Sequence, residues 1–528
     1  MQQLSEQDAS FLYLESEQAP MHNGGFYLFD ASARPTEFDF MELKEFVASR
    51  LHKGNFFRKR LVEVPLKLDH PYWVDDPEFD LDRHMHHLPK PQATSANELK
   101  QLAAQILSTP LLRDRPLWEI TFVDGLGNVP GLSSRHFALI VKIHQCAIDP
   151  MSGRDVLSIL LDFSKEEQAI PAPQPWRPNP VPSTIRLLGN AYNNALSTPF
   201  RLANMAIDTV SATFYSLLLQ RLKSLHLPPS LFSAPKTLIN RGISEQRSLD
   251  YLDIPLERLK NIKGGIGHGV TLNDVIMGIC AEAVIKYLKT QNETPAQSLV
   301  AMSPISVRSK NIHSPAGSQM AAMMISLATD EPHPGWRVLR IHENAIVSKH
   351  YNQAIAAQFL TRTVPSSMIG LAARIYTEFQ LAQRHKPLFN LPLINIPGPQ
   401  KPLYMNGCEL VQQVGSSPLF DGINLSMVAI SYNGHVTFSV TSCPSSLCEA
   451  GVITGFLVEA LEDIEKLGAT LSGEEPTPYF PATKEPPSLM QIGSMVIEDV
   501  FGLFNNLFSF RKSVGKKQGG TTPGISGD

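Results

Sequence analysis

The run HFALIVKIHQCAIDPMSG, residues 136–153, brings an imidazole, a carboxamide, a thiol and a carboxylate together at one point of the chain. Phe137, Leu139, Val141 and Ile143 alternate ahead of His144, a pattern that predicts a strand delivering a histidine to the end of a sheet. Asp149 follows just before a small-residue turn at Ser152 and Gly153. A neutral imidazole, with a pKa near ~6.5, can take a proton from a hydroxyl and return it to a leaving group. The carboxamide of Gln145 cannot, because its oxygen accepts hydrogen bonds but is not protonated at any relevant pH. Cys146 would need a cation or a helix N-terminus beside it to become a nucleophilic thiolate; none is evident, so a small buried thiol is expected. Neighbouring strand residues point to opposite faces, so His144 and Gln145 would not share a site in a regular strand. A bulge, or a turn tightened by Pro150, would have to redirect His144 before it could act as a substitute base. His84, His86 and His87 lie close together but lack a Cys, Asp or Glu at ligand spacing, and no metal site is expected from them.

The elements that must position these groups are α/β in texture. LWEITFVDGL (117–126) and FALIVKI (137–143) read as strands, and NELKQLAAQILSTPLL (97–112) has helical spacing. IPAPQPWRPNPVPS (170–183) is too rich in proline for helix or sheet to continue through it, and reads as a linker. Residues 184–227 return to helical periodicity, broken at Pro199, with an apolar face that includes Ile207, Val210 and Phe214. That face suits a helix packed on the protein's own core or one lying on a membrane. Further on, Thr271 is a candidate N-cap with Asp274 three residues later, approximating a capping box. Asn433-Gly434 between two alternating runs predicts a hairpin with a type I′ turn, and 451–467 an amphipathic helix.

The tail changes character. Ile492, Val496, Val500, Leu503, Leu507 and Phe510 share a face ahead of Arg511, Lys512, Lys516 and Lys517. A phenylalanine-rich amphipathic helix ending in basic residues fits an interfacial membrane anchor, or a helix docked back on the protein. The last residues, around GGTTPGISGD, read as disordered.

A chain of 528 residues predicts two domains. A net charge of −4 provides no field to recruit nucleic acid. The five scattered cysteines form no CxxC pair, which fits a reducing cytoplasmic compartment. The N-terminus lacks the basic-then-apolar order of a secretory signal, and no run supplies the ~20 apolar residues needed to span a bilayer.

Several stretches together resemble the bacterial wax ester synthase/diacylglycerol acyltransferase family, related to chloramphenicol acetyltransferase and peptide-synthetase condensation domains. LSEQDASFLYLE and PMHNGG, with Met21 and His22, match its N-terminal block. Pro116, Leu117 and Trp118 match its Pro-Leu-Trp, and Asn273 and Asp274 its Asn-Asp pair. SPISVRS, NIPGPQKPLY (with Asn395 and Gly398) and ISYNGHVTFSV match its later blocks. The ordered set covers roughly residues 1–467.

The resemblance implies an α/β fold of two chloramphenicol-acetyltransferase-like domains in a pseudo-twofold arrangement with a central tunnel, followed by a C-terminal amphipathic helix. The corresponding boundaries are 1–169 for the N-terminal domain, 170–247 for the linker and interdomain helices, 248–470 for the C-terminal domain and 471–528 for the tail. Acyl-CoA would be a substrate and no cofactor is implied. The acceptor would be a long-chain alcohol or diacylglycerol, at the inner membrane or a lipid-droplet surface. The family's central motif, His-His-x-x-x-Asp-Gly, becomes His144 to Pro150 here, and the base is its second histidine. That position is Gln145. Asp149, the motif carboxylate, would hold the loop by pairing with an arginine, with Arg308 as a candidate, and His22 would lie near the channel mouth. Trp118 is expected in the core beneath the motif strand, and Asn273 and Asp274 can also serve simply as helix-start residues. An acyltransferase with an impaired base is therefore expected. The alternative is a non-catalytic lipid-binding paralogue or partner of an active acyltransferase. A condensation enzyme acting on carrier-protein thioesters fits less well, because the chain carries no carrier domain.

Overall fold

The computed structural model describes residues 1–89, 94–148, 159–194, 229, 233–306, 320–359 and 386–468. These residues belong to one compact unit. Residues 149–158, which include Asp149, Pro150, Ser152 and Gly153, lie outside the described residues, as do Arg308, the stretch 195–228 and the tail beyond 468.

Two six-stranded sheets carry the architecture. The first is built on β2 (His22–Asp30), β5 (Met85–Leu88), β6 (Trp118–Val123) and β7 (His136–His144). The second contains β8 (Ser248–Pro255), β9 (Val300–Ser306), β10 (Met320–Ser326), β11 (Leu391–Pro397), β14 (Leu425–Tyr432) and β15 (His435–Ser442), in the order β10-β9-β11-β14-β15-β8. A small third sheet pairs β4 (Tyr72–Asp75) with β1 (Gln2–Gln3) on one side and β3 (Lys59–Val62) on the other.

The sheets do not divide the chain at one point. β12 (Tyr404–Met405) and β13 (Cys408–Ser416) belong by sequence to the C-terminal half, yet they complete the first sheet, whose order is β12-β13-β2-β7-β6-β5. β13 runs antiparallel to β2, with Val414 opposite Phe26. It is also tied to the second sheet: Gln412 donates to Thr437 Oγ1 at 2.8 Å and Ser439 Oγ donates to Gly415 O at 2.6 Å. This crossing strand fixes the two sheets to each other.

β7 is buried on both faces. Phe137, Leu139, Val141 and Ile143 join one core cluster with Phe29, Trp118 and Phe46, while Ala138 and Ile140 face a second cluster. That second cluster combines Phe26, Val414 and Leu249 with Leu99 and Leu107 of helix α3 (Ala96–Ser108), so it joins both halves. Helix α3 starts with Ser95 accepting from the Glu98 N–H, and is followed by the extended Thr109, as expected for a residue before proline. Helices α1 (Glu6–Leu14) and α2 (Phe40–Arg50) belong to the N-terminal half; residues of both lie in the cluster around Trp118.

Helices α4 (Leu256–Ile266), α5 (Leu272–Thr290), α6 (Pro334–Phe359) and α7 (Ala450–Gly468) follow in the C-terminal half. α5 opens on a complete Thr271–Asp274 capping box and is buried along most of its length, with Glu282 paired to Arg337 of α6. The β14–β15 hairpin turns through Asn433 and Gly434 at φ 45° and 81°, the positive angles of a type I′ turn.

Candidate active site

The strand that delivers His144 ends there. Its N–H donates to Leu117 O at 3.0 Å, and Gln145–Ala147 form one 3-10 turn. The Gln145 N–H donates to Met21 O at 2.9 Å. Its side chain is half-buried and has no hydrogen-bond partner among the described residues.

His144 is 1 % exposed. Its Nδ1 accepts the Cys146 N–H at 3.1 Å and lies 2.9 Å from Cys146 Sγ. An Nδ1 that accepts a backbone N–H is bare, so the hydrogen-bond network assigns the neutral ring's proton to Nε2. Nε2 faces Glu15 Oε1 at 3.4 Å without hydrogen-bond alignment. Glu15 also accepts from the Met21 N–H at 3.1 Å, and from Arg113 Nε and Nη2 at 2.8 and 2.5 Å. Burial alone would raise the Glu15 carboxyl, but His144, Arg113 and the Met21 N–H together hold it down at about 2.

Thiol, imidazole and carboxylate thus stand in the order of a nucleophilic triad. Cys146, however, is 4 % exposed in a core cluster with Leu4, Ala9 and Leu12. Burial, with the charges of Asp8 and Glu15, pushes its thiol well above the ordinary value. The arrangement holds a neutral thiol, the reverse of an activated one.

His22 lies directly opposite His144 on the neighbouring strand. Its Nε2 donates to Leu107 O at 2.6 Å, and burial followed by the Lys142 charge lowers its pKa to about 3, so the ring is neutral. With Arg247, Leu249, Ser416 and Thr441 it lines a pocket to which both sheets contribute. The pocket begins one residue either side of Met21, since Pro20 also lines it.

The other family-block residues form supports. Leu117 holds the end of β7 through its carbonyl. Trp118 is fully buried, donates Nε1–H to Phe57 O at 3.0 Å and stacks on His84 at 4.6 Å. His84 Nδ1 bonds Trp118 O at 2.9 Å, and His87 pairs with Asp124 at 2.8 Å. Among the described residues no cluster of three or more His, Cys, Asp or Glu is arranged to hold a metal.

On the other half, Asn395 Nδ2 donates to Asn273 Oδ1 at 3.0 Å, joining two blocks that are far apart in sequence. Asp274 closes its capping box and also meets His342 Nδ1 at 2.7 Å. A Cβ at Gly398 would lie 2.3 Å from Ser431 O, so only glycine fits there. Sequence reasoning missed Glu15, Arg113 and His342. Glu15 had a signal, as the last residue of the N-terminal block, but nothing in its spacing pointed to His144.

Residues 4–276 match the family described as wax ester synthase/diacylglycerol acyltransferase catalytic domain, and residues 316–465 match the WS/DGAT C-terminal domain. A Mycobacterium tuberculosis protein that carries a diacylglycerol O-acyltransferase name is 31 % identical, over 88 % of this chain and 90 % of its own length. The solved wax ester synthase/diacylglycerol acyltransferase of Marinobacter aquaeolei VT8 superposes with a TM-score of 0.61 at 25 % identity, covering 88 % of this chain and 99 % of that one. The first condensation domain of the calcium-dependent antibiotic synthetase shares the fold, with a TM-score of 0.53 at 15 % identity over 89 % of this chain and 97 % of that one. The chain belongs to the wax ester synthase/diacylglycerol acyltransferase family.

Proposed function

We propose that this chain binds acyl-CoA and a hydrophobic alcohol, either a long-chain alcohol or diacylglycerol, and transfers the acyl group only slowly. In the reaction the hydroxyl oxygen attacks the thioester carbonyl carbon, the carbon–sulfur bond breaks, and the hydroxyl proton ends on the departing CoA thiol. A base must carry that proton. At the position where the family places it, Gln145 offers a carboxamide, which cannot. The observation that carries the reading is the confinement of the neighbouring imidazole: His144 is enclosed between Glu15 and Cys146, with its one lone pair already accepting a backbone N–H. Loss of a general base typically costs ~10²–10⁴ in rate, while binding and orientation persist.

The basic amphipathic tail supports a site of action at a membrane or lipid-droplet surface on the cytoplasmic side. Among the described residues no helix is long and apolar enough to cross a membrane. The same carboxamide favours a second reading, a lipid-binding partner of an active acyltransferase.

The test titrates palmitoyl-CoA into the purified full chain by calorimetry. It then follows free thiol and ester together, with hexadecanol or dioleoylglycerol as acceptor. Saturable binding with slow ester formation that survives His144→Ala is the expected result. Ester formation abolished by His144→Ala would identify a relocated base and overturn the reading. Binding without any ester from either acceptor would favour the partner reading.

A further inference from the structure

Two independent paths run from one buried carboxylate to the residues around position 145. Along the first, Glu15 Oε1 accepts the Met21 N–H at 3.1 Å, and the Met21 carbonyl in turn accepts the Gln145 N–H at 2.9 Å. Along the second, the same oxygen faces His144 Nε2 at 3.4 Å, and His144 Nδ1 accepts the Cys146 N–H at 3.1 Å. Hydrogen bonds therefore tie residue 145 back to Glu15, while residues 144 and 146 reach it through the unaligned His144 contact.

The carboxylate is itself held. Arg113 donates twice to it, and a further bond from Arg113 Nη2 to Leu12 O at 2.8 Å anchors the pair to helix α1. Glu15 caps that helix by donating its own N–H to Phe11 O at 3.1 Å. Its side chain is 7 % exposed. A carboxylate so enclosed needs charged or strongly polar partners, and bonds to an ionised acceptor are about twice as strong as neutral ones.

We propose that Glu15 is a positioning residue: it sets the backbone at position 145, through Met21 on one side and His144 on the other. The inference rests on position 145 being where the family's base stands, as in the proposed function. It gives the N-terminal block a role that its sequence did not reveal. A shift of about 1 Å at a reacting group can cost ~10²-fold in rate, so a base introduced at 145 needs this carboxylate behind it.

Hydrogen exchange of the full-length chain, read by mass spectrometry, tests the inference without any turnover. Glu15→Gln removes the charge at nearly constant shape, and Glu15→Asp keeps the charge but withdraws the oxygens by one methylene. Both are expected to speed exchange about tenfold or more in peptides spanning 18–24 and 143–148. Peptides spanning 137–142 and 427–440 should stay at wild-type rates. Unchanged exchange around 145 would overturn the proposal, and so would a uniform rise across all four segments. Full rescue by Glu15→Asp would also overturn it, since charge alone would then suffice. A second arm places Glu15→Gln in a Gln145→His background, where kcat should fall at least about tenfold with KM for palmitoyl-CoA unchanged; equal kcat in the two would contradict the positioning role. If Gln145→His is itself inert, the failure lies with the proposed function, and the exchange arm still decides the role of Glu15.

Discussion

Replacing Glu15 by Gln should make the protein less stable at neutral pH, by an amount that shrinks as the solution is acidified. The carboxyl falls from an ordinary 4.5 to about 2 in the folded chain, a gap of about 2.5 pH units. At ~1.36 kcal/mol per unit, that gap is worth about 3 kcal/mol. The figure is a ceiling, because glutamine can still accept the Met21 N–H and the Arg113 side chain is 42 % exposed. The sign follows from the direction of the shift. A carboxyl depressed by folding contributes its full stabilisation above the unfolded value of 4.5, and loses it as pH falls from there towards 2. Wild type and Glu15→Gln would be unfolded in urea at pH 7, 5 and 3.5, under identical ionic strength, with tryptophan fluorescence as the probe. The difference between the two proteins is the quantity to follow, since the other carboxylates contribute equally to both. We expect a difference of ~1–3 kcal/mol at pH 7 that narrows by pH 3.5. A difference that stays constant with pH, or widens in acid, would refute the assignment of Glu15 as the ionised partner of His144 and Arg113.

Other perturbations test separate parts of the account. Cys146 should resist iodoacetamide in the native chain at pH 7.5 and react once urea is added, as peptide mass spectrometry would show; rapid native labelling would contradict a protonated core thiol. Gly398→Ala should lower the thermal midpoint, since the new Cβ would lie 2.3 Å from Ser431 O and relief of such overpacking costs ~1–3 kcal/mol; an unchanged midpoint would mean that the backbone yields freely there. Deleting residues 486–528 should reduce flotation with liposomes containing anionic lipid and leave the circular dichroism of the remaining chain native-like. Unchanged flotation would remove the tail as an anchor.

Local signals in the sequence translated directly into structure. Asn433-Gly434 makes the turn that its positive φ angles allow, and the helix predicted from residue 97 ends at Ser108, because Thr109 precedes proline. The alternating run before His144 forms the central strand that carries the site. What stayed hidden was non-local. Nothing in CELVQQVGS says that it pairs with β2 across nearly four hundred residues, because strand patterning records which face is buried and not which partner is met. The meeting of Glu15, Arg113 and His144 depends on that same tertiary placement. Strand alternation would set His144 and Gln145 on opposite faces, and His144 and Cys146 on the same face one pleat apart. The 3-10 turn after His144 ends the strand and closes that spacing, so that the thiol and the N–H of Cys146 both reach the ring.

The central claim is that a missing proton acceptor at position 145 sets the rate of an otherwise competent site. Its most direct test is the kcat for ester formation from palmitoyl-CoA and hexadecanol or dioleoylglycerol by Gln145→His, beside wild type at equal acyl-CoA saturation. Restoring the imidazole should raise kcat by ~10²-fold or more, with acyl-CoA affinity unchanged. A wild-type rate already equal to that of Gln145→His would contradict it.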